Sequence, residues 1–214
     1  MAFEQTDIRP LFVSPLLTFR LADAEDLNRR LAQEILDRRD HEPGTRRSNR
    51  LGWHSAPDFF DRAEPAHAEL AAHLTGAIQS ATAQLAPEAG GGEAQLDGWV
   101  NLSPPQAMNA PHDHAGAFWS GTYYVQLPPP DDAQDLQSGA IEFLDPRGPI
   151  GGLETSLTRA RFTARPVAGT CLLWPGYLRH WVHPNRSGGE RISVAFNARL
   201  RRSPSAIAPD MKRS

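Results

Sequence analysis

The sequence predicts a mainly β (α+β) protein, a double-stranded β-helix or jelly roll backed by N-terminal helices. Two stretches in the first half carry apolar residues at every fourth position, which is typical of helices that bury one face. From Gln95 onward the pattern changes to about seven short apolar segments, separated by proline, glycine and aspartate. Helices first and closely spaced strands afterwards indicate a sandwich of sheets with supporting helices.

The helical half is predicted in order along the chain. An N-terminal strand over Pro10–Phe19 is interrupted by proline. A first helix over Asp23–Arg39 should cover one face of a sheet, and a second helix follows over Pro65–Leu85. The apolar repeat that predicts them is Leu27, Leu31 and Ile35 in the first and Leu70, Leu74 and Ile78 in the second.

The β half follows as short segments joined by loops. Pro128–Asp132 forbids regular structure, and Pro146–Leu157 is a second long loop and a candidate lid over the site. We expect one domain over residues 1–202, helical in 1–92 and jelly-roll in 93–202, with a flexible tail over 203–214. The predicted strands are Gln95–Leu102, Trp119–Leu127, Ala140–Leu144, Arg161–Pro166, Thr170–Trp174, His180–His183 and Arg191–Leu200.

Composition excludes several classes of function. The formal net charge is −3, with 22 basic and 25 acidic residues, and the arginines are scattered. Nucleic acid is therefore not an expected partner. Cys171 is the single cysteine, so no internal disulfide can form and a reducing compartment is expected. No apolar run approaches the roughly 20 residues that span a bilayer, so we predict a soluble cytoplasmic protein without a membrane partner; a homodimer is compatible with the sequence.

Three histidines are the candidate metal ligands. His112 and His114 are two residues apart, so on a strand they share one face while Asp113 points away. His180 follows an apolar strand bounded by glycines and would supply a third ligand from a neighbouring strand, with coordination positions left open. His183 competes with His180, but residues three apart on a strand face opposite sides. We expect His180 to be the ligand and His183 to lie at the rim or face solvent.

Arg191 begins the last apolar strand and is the candidate anion-binding residue. Alternation places Arg191, Ser193, Ala195 and Asn197 on one face, and Ile192, Val194 and Phe196 on the other. A buried guanidinium needs a carboxylate partner, which its paired donors fit well. The alternative is an exposed edge-strand arginine paired with Glu190 or with water.

The order of these motifs resembles the Fe(II)/2-oxoglutarate oxygenases, and among them a small bacterial family. The resemblance runs from about Trp53 to Arg199 and implies that His112, His114 and His180 form the catalytic metal site. The usual second ligand of the superfamily is a carboxylate, whereas this chain has His114, so three neutral imidazoles would bind the metal. The motifs that carry the resemblance are Ser48-Asn49, Gly52-Trp53, Trp99-Val100-Asn101, His112-Asp113-His114, Ser120-Gly121-Thr122-Tyr123-Tyr124, Ser138-Gly139-Ala140-Ile141-Glu142-Phe143, Trp174-Pro175 with His180, and Glu190-Arg191-Ile192-Ser193-Val194-Ala195-Phe196-Asn197.

The same resemblance implies a cosubstrate site and a reaction. Arg191 would bind the distal carboxylate of 2-oxoglutarate with help from Tyr124, and Asn101 would donate a hydrogen bond to it; Ser193 and Asn197 share the face of Arg191 and join the cofactor-binding set. Fe(II), 2-oxoglutarate and O2 would react to give succinate, CO2 and a hydroxylated small-molecule or peptide substrate.

Three alternatives remain open at this point. A cupin-like dioxygenase or isomerase would use the metal without 2-oxoglutarate, and Arg191 would bind the acid group of the substrate. A non-catalytic jelly roll would bind a sugar or peptide and keep the histidines as structure. A different register of the metal motif, His114-Ala115-Gly116, resembles the iron halogenases.

Overall fold

The computed structural model describes residues 7, 11–89, 94–129, 135–148, 152–155 and 157–200. The predicted jelly roll with N-terminal helices is confirmed. Its two short 3-10 turns are Phe59–Asp61 and Pro87–Ala89. The helices and strands are β1 Leu17–Arg20, α1 Ala24–His41, β2 Asn49–Arg50, β3 Trp53–His54, α2 Pro65–Leu85, β4 Ala94–Ser103, β5 Met108–His112, β6 Trp119–Gln126, β7 Ile141–Leu144, β8 Arg161–Ala164, β9 Thr170–Pro175, β10 His180–Val182 and β11 Arg191–Leu200.

The strands form two antiparallel sheets. The larger sheet has the order β1-β9-β6-β11-β4-β3, and the smaller has β2-β5-β10-β7-β8. The longest ladder pairs β11 with β4, from Arg191 opposite Ser103 to Leu200 opposite Ala94. Strand β6 pairs with the other edge of β11, so β6 and β11 are the two central strands of the larger sheet.

The two helices cover the outer face of the larger sheet. Helix α2 begins with Pro65, a residue whose fixed φ suits the first turn. Glu34 of α1 accepts hydrogen bonds from the backbone N–H groups of Ala66 and His67 at 3.0 and 3.1 Å, which ties the two helices together. Among the helices in the described ranges, none is long and apolar enough to cross a membrane.

Two apolar clusters follow from the alternation of side chains along each strand. On the helix side, Val194 and Phe196 of β11 pack with leucines and isoleucines of α1 and α2. On the inner side, between the sheets, lies a smaller cluster of Tyr124, Ile141, Phe143, Leu172, Trp174 and Leu178. The face of β11 that carries Arg191 and Ser193 therefore points into the space between the sheets.

The predicted elements agree with the structure except at short or proline-containing segments. Helix α2 has the predicted bounds, α1 is displaced by one or two residues, and each of the seven predicted strands is present. The predicted strand over Pro10–Phe19 is reduced to β1; β2 and β3 were not predicted, and β5 was expected only as the strand shared by His112 and His114. Two-residue strands are too short to show a periodic pattern. Strand β5 contains Pro111, and proline is uncommon inside strands, so its sequence does not read as a strand.

Parts of the two predicted loops, and the predicted tail, fall on residues that the structure does not describe. Residues 130–132 of the first predicted loop and residues 149–151 and 156 of the second lie outside the described residues. The predicted tail over 203–214 also lies outside them, and the domain bounds stay a prediction.

Candidate active site

Three histidines meet at one end of the space between the sheets. The possible ligand nitrogens of His112, His114 and His180 all lie within 4.8 Å of one another. The ring of His112 lies 5.0 Å from that of His114 and 4.5 Å from that of His180, and the last two are 5.3 Å apart. The structure thus brings the three predicted histidines together, at distances that would allow their rings to share one ion.

Backbone contacts orient the imidazoles. His112 and His180 are directly opposite each other in the β5–β10 ladder. The Nδ1–H of His112 donates to the carbonyl of Ala110 at 2.7 Å, and that of His180 donates to Leu178 at 2.9 Å. Fixing the proton on Nδ1 leaves Nε2 of each ring with its lone pair free for a metal ion.

His114 reaches the centre in a different way from the one predicted. The sequence suggested that His112 and His114 share one strand, but β5 ends at His112 and His114 lies two residues beyond its end. Its backbone N–H donates to the carbonyl of Gly176 at 2.9 Å. Its ring packs against Trp99 at 5.7 Å, and Trp99 is stacked in turn on His54 at 5.5 Å.

Burial keeps the three imidazoles neutral. Desolvation lowers the pKa of His180 to about 3 and that of His114 to about 4, and it also lowers the pKa of His112. The mutual repulsion of the rings adds to the shift for His114 and His180. Neutral imidazole is the form that binds metal ions, so the site is ready to bind a cation at neutral pH.

Arg191 is the buried cation of the same cavity. Its side chain lies on the inner face of β11, and the residue is only 4% exposed. Nη1 donates to the carbonyl of Gly139 at 2.7 Å and Nη2 to the hydroxyl of Ser193 at 3.4 Å. The alternative of a surface arginine paired with Glu190 is excluded, because Glu190 pairs with Arg39 instead. Desolvation lowers the pKa of Arg191, as expected for a guanidinium without a carboxylate partner.

Tyr124, Ser193 and Asn101 lie side by side across three neighbouring strands. Ser193 of β11 is opposite Tyr124 of β6 and opposite Asn101 of β4. All three line the cavity with the histidines and Arg191. Burial raises the pKa of Tyr124 to about 12, so its hydroxyl keeps its proton and can donate it in a hydrogen bond. Tyr123 points to the helix side, where its hydroxyl donates to Asn28.

The predictions for His183 and Asn197 differ from what the structure shows. His183 does not face solvent: it is 6% exposed, and its Nε2 donates to Glu142 at 3.2 Å. Strand β10 ends at Val182, so strand alternation no longer governs the next residue. Asn197 shares the face of Arg191, but its amide oxygen accepts a hydrogen bond from Ser120 at 2.6 Å and the residue is not among those that line the cavity.

Three polar atoms in the cavity wall have no partner in the described part of the protein. They are Nε of Arg191, Nε1 of Trp174 and Oδ1 of Asn101. Buried polar groups are almost always paired, so three orphaned atoms in one cavity indicate a ligand that supplies the missing partners. Trp174, whose ring is 4.9 Å from that of His180, was not among the predicted site residues. In sequence it is one of five tryptophans, without any sign of its unpaired N–H.

The comparisons with known proteins agree with this geometry. Residues 97–197 match the sequence model of a family described as "Putative 2OG-Fe(II) oxygenase", and that range contains all three histidines and Arg191. No curated protein matches the chain.

Solved structures share the fold at low sequence identity. A prolyl-4-hydroxylase from Pseudomonas putida aligns with a TM-score of 0.64 and 20% identity, covering 90% of this chain and 96% of its own. A Trichoplax adhaerens prolyl hydroxylase, in complex with a hypoxia inducible factor peptide fragment, aligns with a TM-score of 0.64 and 12% identity, covering 86% of this chain and 83% of its own. HygX from Streptomyces hygroscopicus, with nickel, 2-oxoglutarate and hygromycin B bound, aligns with a TM-score of 0.60 and 13% identity, covering 86% of this chain and 82% of its own.

Proposed function

We propose that this chain is a 2OG-Fe(II) oxygenase, the family whose model matches residues 97–197, and that His112, His114 and His180 bind its Fe(II) while Arg191 binds 2-oxoglutarate. The observation that carries the proposal is the presence of two complementary features in one cavity. One is a cluster of three neutral imidazoles, and the other is a buried guanidinium with an unpartnered N–H.

The donor set fits a divalent transition metal ion. Imidazole nitrogen suits iron, and three protein ligands leave positions for other molecules to coordinate. The carbonyls of Ala110 and Leu178 hold two of the rings in the ligating tautomer. Trp99 packs beside the ring of His114, and Trp174 beside that of the buried His180. Held by these residues, the metal and 2-oxoglutarate would supply the oxidation of a substrate C–H bond by O2, with succinate and CO2 as products.

The anion end of the cavity fits the distal carboxylate of 2-oxoglutarate. Arg191 offers an unpaired Nε–H in a buried, low-dielectric position, where a charge-assisted hydrogen bond is strong. Its guanidinium carbon lies 5.9 Å from the centre of the Tyr124 ring, so the phenol and the guanidinium can reach one carboxylate. Ser193 holds the guanidinium from the other side, and Asn101 can turn its amide so that the NH2 group faces the ligand. HygX, which shares the fold, contains 2-oxoglutarate in its structure.

An anaerobic titration tests both halves of the proposal. Apo protein is titrated with Fe(II) and then with 2-oxoglutarate, and the weak visible charge-transfer band of the chelate is recorded. We expect a band in the wild type and a large loss of 2-oxoglutarate affinity in Arg191→Ala. Arg186→Ala is the matched control, because Arg186 pairs with Asp135 and does not line the cavity; it should titrate like the wild type.

The other outcomes separate the alternatives. Iron binding without a band would contradict the use of 2-oxoglutarate and favour a cupin-like enzyme in which Arg191 binds the acid group of the substrate. A protein that binds no iron at all would contradict the metal assignment.

A further inference from the structure

We propose that an apolar groove beside the metal site binds the substrate, and that the substrate is an amphiphilic organic anion. The groove lies between β1 and β8, which are edge strands of the two sheets, and has a volume of about 930 Å³. We call it the arginine-rimmed groove. It is defined by Phe12, Leu16, Phe143, Phe162, Leu172 and Leu178 and by the arginines Arg147, Arg159, Arg161 and Arg165. The proposal rests on the oxygenase function given above, because it assigns the substrate of that site.

The apolar lining is the first argument. Large apolar side chains rarely cluster on the surface of a soluble protein unless they bind something. Phe12 is 87% exposed, Leu157 80% and Phe162 46%, and all three line the arginine-rimmed groove, together with the exposed Leu11, Val13 and Val167. A mostly apolar concave site with a few charged groups is typical of small-molecule pockets.

The charge of the rim is the second argument. Four arginines line the arginine-rimmed groove. The acidic residue that lines it with them, Asp145, forms an ion pair with Arg147. Arg159 and Arg165 have no ion-pair partner among the residues that the structure describes, and Arg161 is 3.8 Å from Glu142. The chain as a whole has a net charge of −3. A positive rim on a negatively charged protein favours an anionic ligand and disfavours a cationic one.

The position of the groove relative to the metal site is the third argument. The ring of Phe143, which lines the arginine-rimmed groove, lies 5.8 Å from the ring of His180. Leu178, also in its wall, provides the carbonyl that orients His180. The groove and the metal cavity have no lining residue in common, so a substrate in the groove would reach the metal past the side chain of Phe143.

A binding assay without metal tests the ligand class. The apolar anion 1-anilinonaphthalene-8-sulfonate is titrated into the apo protein and then displaced with decanoate or with decyltrimethylammonium, which has a chain of the same length and the opposite charge. We expect displacement by decanoate and not by the cation. Equal displacement by both would overturn the assignment of an anionic ligand, and a probe that does not bind at all would overturn the site.

Variants locate the binding. The double variant Arg159→Glu/Arg165→Glu should bind decanoate about tenfold more weakly. Arg29→Glu/Arg46→Glu introduces the same change in net charge outside the arginine-rimmed groove and should bind it like the wild type. Equal weakening by both pairs would show a general effect of charge and overturn the site.

A spectroscopic assay connects the groove to the metal centre. Decanoate is added anaerobically to the complex of wild-type protein, Fe(II) and 2-oxoglutarate, and a shift of the charge-transfer band is expected because Phe143, in the wall of the groove, packs beside the ring of His180. Binding in the metal-free assay with an unchanged band would overturn the assignment as substrate site. Absence of any band before decanoate is added would contradict the oxygenase proposal instead, so the two failures are distinguishable.

Discussion

Replacing Trp174 by phenylalanine should weaken the binding of 2-oxoglutarate and leave the apo protein folded. The indole Nε1–H is buried, lines the cavity and has no acceptor in the described residues. Its ring lies 4.9 Å from that of His180, one of the three proposed metal ligands. We therefore expect this donor to find its acceptor on an oxygen of the bound 2-oxoglutarate.

The size of the effect follows from the cost of one charge-assisted hydrogen bond. Such a bond contributes about 1.5–3 kcal/mol, and each 1.4 kcal/mol corresponds to about tenfold in Kd. The Kd for 2-oxoglutarate should therefore rise by roughly 10- to 150-fold. In the apo protein the same substitution removes an unsatisfied buried donor, which relieves a cost of about 1–3 kcal/mol and offsets the packing that the smaller ring loses.

Trp119→Phe is the matched control. Trp119 is also buried, but its Nε1–H donates to the hydroxyl of Thr82 at 2.9 Å, away from the cavity. Both substitutions remove the same ring atoms, so the packing cost is common to them. Trp119→Phe also loses a satisfied hydrogen bond, about 0.5–1.5 kcal/mol, and the free energies of unfolding of the two variants should differ by about 1.5–4.5 kcal/mol.

Two measurements decide the matter: urea unfolding of the apo proteins and the anaerobic titration with 2-oxoglutarate. Trp174→Phe should be the more stable variant and the weaker binder, and Trp119→Phe the reverse. If Trp174→Phe binds 2-oxoglutarate like the wild type, or is the less stable of the two variants, the indole N–H of Trp174 does not have the proposed role.

Other residues give predictions of the same kind. His180→Ala should abolish Fe(II) binding in the anaerobic titration, whereas His183→Ala should retain it and lose about 1–3 kcal/mol of stability, because Glu142 loses a partner; comparable iron binding by both would contradict the ligand assignment. Burial lowers the pKa of His180 to about 3 and that of His114 to about 4, from 6.5, so the unfolded chain binds more protons and apo stability should fall as the pH falls from 6.5 towards 4. Urea unfolding at a series of pH values should show this slope reduced in His180→Ala, and an unchanged slope would contradict it. Gly121→Ala should destabilise the protein by about 1–3 kcal/mol, since its Cβ would meet Phe196 and lie 2.8 Å from the carbonyl oxygen of Leu172. Gly76→Ala in α2 meets nothing within 4 Å and should stabilise the protein by about 0.5–1 kcal/mol; thermal unfolding that showed equal effects for the two glycines would refute the packing argument.

The sequence predicted the elements that bury one face in a regular rhythm. The four-residue repeat gave both helices, because each packs a single apolar stripe on the larger sheet. Alternation along β11 predicted that Arg191 and Ser193 share one face and that Val194 lies on the other. In the structure the first two line the cavity and Val194 packs on the helix side. In these places local pattern and tertiary burial agree, so the pattern is sufficient.

The rest of the site depends on contacts between residues far apart in the chain. His114 reaches the centre from a turn, fixed by a hydrogen bond to Gly176 and by the ring of Trp99. His183 is buried because Glu142, on the neighbouring strand, accepts its N–H. The missing partner of Trp174 becomes visible only when the whole cavity is assembled. No local periodicity encodes such contacts.

The charge of the cavity connects the metal site with the substrate class. If His112, His114 and His180 are the ligands, as proposed, three neutral imidazoles would add no charge to a divalent metal ion, and Arg191 would add a positive charge without a carboxylate among the described residues of the cavity wall. The two carboxylates of 2-oxoglutarate then leave one positive charge uncompensated, whereas a carboxylate in place of His114 would leave none. Burial makes an uncompensated charge costly, and an anionic substrate would reduce that cost from the neighbouring groove. The replacement of the usual carboxylate ligand by histidine and the arginines of the groove rim therefore favour the same kind of substrate.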